Sequence, residues 1–419
     1  MTKRVFVLVL LAVALSPRLA AQAQKRLWVL QPPDKLVEYN TATFAAGPPV
    51  TVPVEVLTSP ESLAVNKSGQ ILFAPQPYNA ALDANSHTKL WFWDGHRVAP
   101  LDRGTVQTER AGRSSSVVEA IAQPYLALDG RHLYWFANIF AKQKSSEGLE
   151  LSVEASFRVW QTDLDGKHVE QVVSFSFLPC KCDTGVCEET CPQAEFWAPE
   201  TGVGDFFVVT HWVPGQSESQ YHSSFLYRML NGKWSAKKLS HPLHAILDAA
   251  GTGSMLVEAN PDNACCGSAN ESDDQTLLTS DGRVTVLFDE RERYRNENYD
   301  VSFSTRTARL APRSDFVALE IVSSAESGAE IRLSNDGQAN ARELAEIKKA
   351  MSYLPAVEVL ALAPSHKRIA LLPHAALVGW LNETEVLIIE GQQLVALNPT
   401  SGSRRKSGIK ADASRVFLR

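Results

Sequence analysis

The chain has 419 residues, of which 44% are hydrophobic and 21% charged, the balance of a folded protein rather than a disordered or fibrous one. Lys and Arg number 41 against 47 Asp and Glu, so the net charge is −6, which argues against a nucleic-acid partner because that would call for a basic face. The length exceeds what one conventional core supports, which leaves several domains or a repeat architecture in which each unit packs on its neighbours.

The amino terminus reads as an export signal. Lys3 and Arg4 precede an unbroken apolar run from Val5 to Leu15, and Ala21-Gln22-Ala23 supplies the small-x-small pattern of a signal-peptidase site. That run is about half of the ~20 residues a membrane-spanning helix needs. The expectation is a cleaved signal over residues 1–23, followed by a single exported domain over 24–419, periplasmic or secreted. Losing Lys3, Arg4 and Arg18 makes the remainder more acidic still.

From there the pattern is strands almost throughout. Short runs rich in Val, Leu, Phe, Trp and Tyr each end in a turn dipeptide. Lys89-Leu90-Trp91-Phe92-Trp93 precedes Asp94-Gly95, and Phe157 to Asp163 precedes Asp165-Gly166. Phe225-Leu226-Tyr227 precedes Asn231-Gly232, and Gln275 to Leu278 precedes Asp281-Gly282. Taking glycine as the mark of a unit's outer hairpin gives Gly47, Gly95, Gly166, Gly232, Gly282, Gly337 and Gly402. A second series falls between them, at Ser68-Gly69, Asp129-Gly130, Gly202 to Gly204, Gly251 to Gly253 and Arg313-Ser314. Two hairpins per unit of ~50–60 residues is the requirement of a four-stranded propeller blade. The fold class expected is all-β, a β-propeller of about seven blades, with six to eight compatible with the irregular spacing. A pair of β-sandwiches is the alternative. One helix interrupts the strands. Asn340 can cap it, Glu343 follows three residues on, and Leu344, Ile347 and Met351 share a face, predicting a docked helix near 341–351. At the carboxyl end, Ser414 to Leu418 is placed to add a strand beside Leu27-Trp28-Val29-Leu30, because an unclosed ring would expose strand edges.

Leu377 to Ile389, with Trp380 in its first strand, followed by Leu394 to Gly402, resembles a blade of the TolB and WD40-like propellers. Two segments resemble the same strand-turn-strand element more loosely. They are Leu63 to Phe73 and Leu310 to Leu319, the latter with a counterpart 52 residues on at Leu362 to Leu371. The Ser-Pro-Asp-Gly turn of that family is absent, so the resemblance implies the fold and no functional residue.

All six cysteines lie in two clusters: Cys180, Cys182, Cys187 and Cys191, then Cys265 and Cys266. An even count in an exported chain reads as a disulfide framework. Neighbouring Cα atoms sit ~3.8 Å apart, below the ~4.4–6.8 Å that disulfides prefer. Cys265 and Cys266 are therefore expected to bond to two different cysteines of the 180–191 loop, with the remaining two paired together. A zinc site on the four clustered thiols and a redox-active vicinal pair are the competing readings. The second loop also holds Asp262, Asn263, Asn270, Glu271, Asp273 and Asp274. Asp262, Asp273 and Asp274 are calcium candidates, although the spacing is not that of an EF-hand and a solvated loop is the plainer reading. His241 and His244 lack an acid at any metal-motif spacing.

No nucleophile elbow, phosphate loop or dinucleotide fingerprint is present. The function expected is an exported, non-catalytic propeller that binds a protein or small ligand, without a cofactor. The alternatives are a hydrolase or lyase with its site at the central axis, and a redox or metal module built on the cysteines. Acids and histidines gathered on the innermost strands would favour catalysis, and apolar or neutral side chains there would favour binding.

Overall fold

A computed structural model describes the strands, one helix and most tight turns between Lys25 and Leu418. Residues 1–24, 53–62, 74–89, 102–116, 177–192, 198–205, 213–221, 260–274, 290–298 and 324–330, with shorter loop pieces, lie outside the described residues.

The described strands form seven antiparallel sheets of four strands each. Sheet 1 contains β1 (Leu27–Gln31), β2 (Lys35–Tyr39) and β3 (Ala46–Thr51). Sheet 2 is β4 (Leu63–Val65), β5 (Ile71–Phe73), β6 (Leu90–Trp93) and β7 (Val98–Leu101). Sheet 3 is β8 (Val117–Leu126), β9 (His132–Lys144), β10 (Glu150–Asp163) and β11 (Glu170–Ser176). Sheet 4 is β12 (Gln193–Trp197), β13 (Phe206–Trp212), β14 (His222–Leu230) and β15 (Lys233–Lys238). Sheet 5 is β16 (Ala245–Ala249), β17 (Met255–Ala259), β18 (Gln275–Ser280) and β19 (Arg283–Asp289). Sheet 6 is β20 (Phe303–Leu310), β21 (Phe316–Ser323), β22 (Ala356–Ala361) and β23 (Lys367–Pro373). Sheet 7 is β24 (Ala375–Trp380), β25 (Val386–Glu390), β26 (Gln393–Leu397) and β27 (Arg404–Lys410). The last strand, β28 (Val416–Leu418), belongs to sheet 1 and pairs antiparallel with β1, Leu27 opposite Leu418 and Val29 opposite Val416. The first and last described strands therefore meet in one sheet, as the apolar run Ser414 to Leu418 suggested.

The apolar cores lie between sheets. One face of sheet 6 packs Val317, Leu319 and Leu360 against Leu256, Leu278 and Phe288 of sheet 5. Its other face packs Ala318, Val357 and Val359 against Leu377, Trp380 and Ile388 of sheet 7. Sheet 7 continues onto sheet 1 through Leu387, Leu394 and Ala396 against Leu27, Val29 and Leu418. Sheet 1 continues onto sheet 2 through Trp28, Leu36 and Phe417 against Ile71, where Trp28 and Trp93 meet edge to face at 5.3 Å. Sheets 4 and 5 share Val208, Leu226, Ile246 and Val257. Across these five boundaries, consecutive sheets stack face to face in chain order.

The helix, α1 (Ala341–Met351), has the predicted bounds. Asn340 caps it by accepting the N–H groups of Arg342 and Glu343. Its own N–H donates to the Tyr299 hydroxyl at 2.9 Å, the place a capping-box glutamate would have taken. Ile347 is buried in the core between sheets 5 and 6, with Leu344 and Met351 beside it, so the helix docks as its apolar stripe requires.

Two of the glycine landmarks are corrected. Gly47 lies inside β3, and the outer turn of sheet 1 is instead Asn40 to Ala45. Gly337 precedes α1 rather than joining two strands, and the last two strands of sheet 6, β22 and β23, are joined between Ala361 and Lys367. The similar segments 310–319 and 362–371 both belong to sheet 6. They are the first and third turns of sheet 6, lying side by side, with the Leu362 N–H donating to the Asp315 carbonyl at 2.9 Å. Ser314 and His366, equivalent in the two copies, both take positive φ, 61° and 47°.

Candidate functional site

None of the residues singled out in the sequence for chemistry falls on a described position. Cys180, Cys182, Cys187, Cys191, Cys265 and Cys266 lie outside the described residues, as do Asp262, Asp273, Asp274 and the neighbouring Asn263, Asn270 and Glu271. His241 and His244 do also. Among the described residues no three His, Cys, Asp or Glu side chains gather as a metal site would need.

The described chemistry sits instead where the first strands of neighbouring sheets meet. β16 contacts β20, β20 contacts β24, and β24 contacts β28. Among the described strands, four first strands carry a bulge against their second strand, skipping Ala122 in β8, Leu247 in β16, Arg306 in β20 and Val378 in β24. A bulge sharpens the twist and re-aims neighbouring groups, and three of these four bulges adjoin polar links between sheets or beside them. The Arg309 guanidinium donates to the Leu247 carbonyl at 2.6 Å, from sheet 6 to sheet 5. The Trp380 indole N–H, from sheet 7, donates to the Arg309 carbonyl at 2.9 Å. Arg306 pairs with Glu320 across sheet 6.

Among the described residues three carboxylates are buried, Asp248, Glu320 and Glu358, each 2% exposed. A buried charge is costly unless it is paired or hydrogen-bonded, and each one is. Asp248 accepts the Ala249 N–H at 2.9 Å and, across the sheet boundary, the Leu310 N–H at 2.7 Å. Glu320 holds Arg306 with one oxygen and accepts the Leu377 N–H of sheet 7 at 3.0 Å with the other. Glu358 pairs with Arg368 at 3.0 Å. Since Leu319 is opposite Glu358 and Val357 opposite Glu320, the two glutamates leave sheet 6 on opposite faces.

The sequence did carry a signal for these three: each is a lone acid inside an apolar strand, as in Leu319-Glu320-Ile321, Val357-Glu358-Val359 and Leu247-Asp248-Ala249. Among the described residues Asp94 and Tyr227 depart from ordinary acidity. The backbone N–H groups of Arg97 and His96 hold the Asp94 carboxyl below the usual range, and burial pushes the Tyr227 phenol up to about 12.

No family model matches the chain, and no curated protein matches it. It is similar to solved structures at low sequence identity. A puromycin hydrolase is 13% identical with a TM-score of 0.44, over 93% of this chain and 53% of that one, so the chain spans about half of that hydrolase. The β-propeller domain of the trilobed protease from Pyrococcus furiosus is 13% identical with a TM-score of 0.41, over 90% of this chain and 88% of that one. A putative TolB from Agrobacterium tumefaciens is 10% identical with a TM-score of 0.35, over 94% and 96%. The resemblance to TolB-like and other propeller proteins is one of fold. No described helix is long and apolar enough to cross a membrane.

Proposed function

We propose that residues 24–419 form one seven-bladed β-propeller, exported behind the signal segment to the periplasm or outside the cell. Its task in this reading is to bind a protein or small ligand without catalysing a reaction. The seven-blade reading is supported by the seven four-stranded sheets that follow one another along the chain and by the sheet that the first and last described strands share. The disulfide framework belongs to the same reading. Cys180 to Cys191 fall in the connection between β11 and β12, where the chain passes from sheet 3 to sheet 4, so bonds there would reinforce that junction.

The observation that carries the binding reading is that the three buried carboxylates among the described residues are all committed to joining strands and sheets. Asp248 and Glu320 grip backbone N–H groups of the next sheet, and Glu358 grips Arg368. The bulged positions of the first strands are Ala122, Leu247 and Val378, with one charge, Arg306, engaged by Glu320. Acid–base catalysis asks for a titratable group free to exchange protons with substrate, and these groups are occupied as scaffold. The experiment is a substrate panel of peptide p-nitroanilides, p-nitrophenyl esters and uronate oligosaccharides, with thermal shift on the same compounds. Saturable stabilisation by one compound class without turnover is expected. Turnover that disappears in Arg306→Ala, with circular dichroism unchanged, would overturn the reading in favour of an axial enzyme.

A further inference from the structure

The junction between sheets 7 and 1 is fastened twice, once by β28 on β1 and once, at the opposite edge of the sheets, by a single side chain. Arg405 lies on β27, the outermost strand of sheet 7, and reaches over to the outer turn of sheet 1. Its guanidinium donates to the Thr41 carbonyl at 3.2 and 3.3 Å and to the Ala42 carbonyl at 2.7 Å. The same group donates to Glu385 at 3.1 Å within its own sheet, and its carbon lies 4.5 Å from the centre of the Phe44 ring. One cation thus satisfies two carbonyls, one carboxylate and an aromatic face.

The turn it grips is shaped for that grip. Asn40 to Ala45 repeats the outer turn of sheet 7, Asn398 to Ser403, in every hydrogen bond except that between the Ser401 and Ser403 hydroxyls. In both, the Asn side chain accepts two N–H groups, and its carbonyl accepts the N–H four residues on. In both, a hydroxyl, Thr43 or Ser401, accepts the N–H two residues on. The difference is the residue at positive φ. Sheet 7 places Gly402 there at 74°, the residue that takes this conformation without strain, whereas sheet 1 places Phe44 at 58°. A bulky residue at positive φ is unfavourable by itself. Phe44 is held there with its ring buried in the core that sheets 7 and 1 share, under the Arg405 guanidinium.

We propose that Arg405 is a latch: it sets how readily the first sheet separates from the last, and without it sheet 1 opens locally while the other sheets stay closed. The neighbouring Arg404 is the built-in control. Its Nη1 donates to both oxygens of Glu390, at 2.7 and 2.6 Å, inside sheet 7, and it makes no hydrogen bond to sheet 1 among the described residues.

Hydrogen exchange by mass spectrometry on the full purified chain tests this. Arg405→Ala is expected to speed exchange about tenfold or more in peptides over 27–51 and 416–418, because several charge-assisted hydrogen bonds and the ring interaction vanish together. Peptides over 303–373 should stay within about twofold of wild type, and Arg404→Ala should leave 27–51 unchanged. Arg405→Lys keeps the charge but not the fork, so it should fall between, and it serves as the test if the alanine variant does not fold. Unchanged exchange over 27–51, equal acceleration in all sheets, or the same effect from Arg404→Ala would each overturn the latch.

Discussion

Removing Asp248 should open the boundary between sheets 5 and 6 and lower the stability of the whole chain. Its carboxylate accepts the N–H of Ala249 at 2.9 Å and of Leu310 at 2.7 Å, and all three residues are buried. Hydrogen bonds to a charged acceptor are worth about 1.5–3 kcal/mol each, and a buried donor left without one costs ~1–3 kcal/mol. Asp248→Asn keeps one carbonyl oxygen but turns an amide NH2 toward one of the two donors. It should cost about 2–3 kcal/mol, and Asp248→Ala, which abandons both donors, about 3–5 kcal/mol. The assay is equilibrium urea unfolding followed by tryptophan fluorescence, with reversibility checked by dilution, reading midpoint and slope. The expected order of midpoints is wild type, then Asn, then Ala, with the slope unchanged. Asp94 supplies the contrast, since its exposed carboxylate caps His96 and Arg97 N–H groups that water can serve instead. Asp94→Asn should shift the midpoint far less. If Asp248→Asn lay within about 0.5 kcal/mol of wild type, the range ordinary surface changes occupy, the claim that this carboxylate joins the sheets would be wrong.

Other consequences are open to measurement. Because the Tyr227 phenol is raised to about 12 by burial, it favours the folded state fully below pH 10 and that contribution is lost as pH climbs through 12. Melting temperatures of Tyr227→Phe should therefore decline less than wild type between pH 10 and 12, and parallel curves would refute the assignment. The depressed Asp94 carboxyl works the other way: its contribution is present above the ordinary carboxylate pKa and disappears on acidification, so Asp94→Ala should flatten the acid limb slightly. Asn340→Ala should cost about 1 kcal/mol, read as faster hydrogen exchange confined to 341–351. Peptide mapping without reductant should recover peptides over 180–191 and 262–274 linked to one another, and a dominant Cys265–Cys266 bond or free thiols would refute the expected pairing.

How far the fold could be read from residues depended on which residue marked a turn. Alternating apolar runs located the strands, and the cap and stripe of 340–351 located the helix to its ends, because those signals are local. Glycine was a poor index of the repeat. The outer turns of sheets 1, 2 and 7 all begin with a side chain that accepts the N–H groups two and three residues on: Asn40, Asp94 and Asn398. That acceptor performs the same work whether Gly or Phe stands at the positive-φ position. Following glycine alone passed over Asn40 and settled on Gly47, which is in a strand, because Phe44 occupies the position where Gly402 stands in sheet 7. The polar groups between sheets were harder to read for a different reason. The partner of Asp248 is a backbone N–H 62 residues away, and a backbone donor leaves no mark on the sequence.

That same use of backbone partners explains how sheets with strands from three to fourteen residues long can stack in order. A directional polar contact between side chains demands matched residue types in consecutive units, which the apolar packing between sheets does not. A carboxylate or guanidinium aimed at a main-chain N–H or carbonyl asks nothing of the neighbour's side chain. Asp248 on Leu310 and Arg309 on Leu247 at one boundary, Glu320 on Leu377 at a second, and Arg405 on Thr41 and Ala42 at a third are the cases. Each joins one sheet to the next, and in each the acceptor or donor on the far side is backbone. Units joined this way can diverge in sequence while keeping their order and spacing. Among the described residues, the buried carboxylates Asp248 and Glu320 therefore serve to join one sheet to the next.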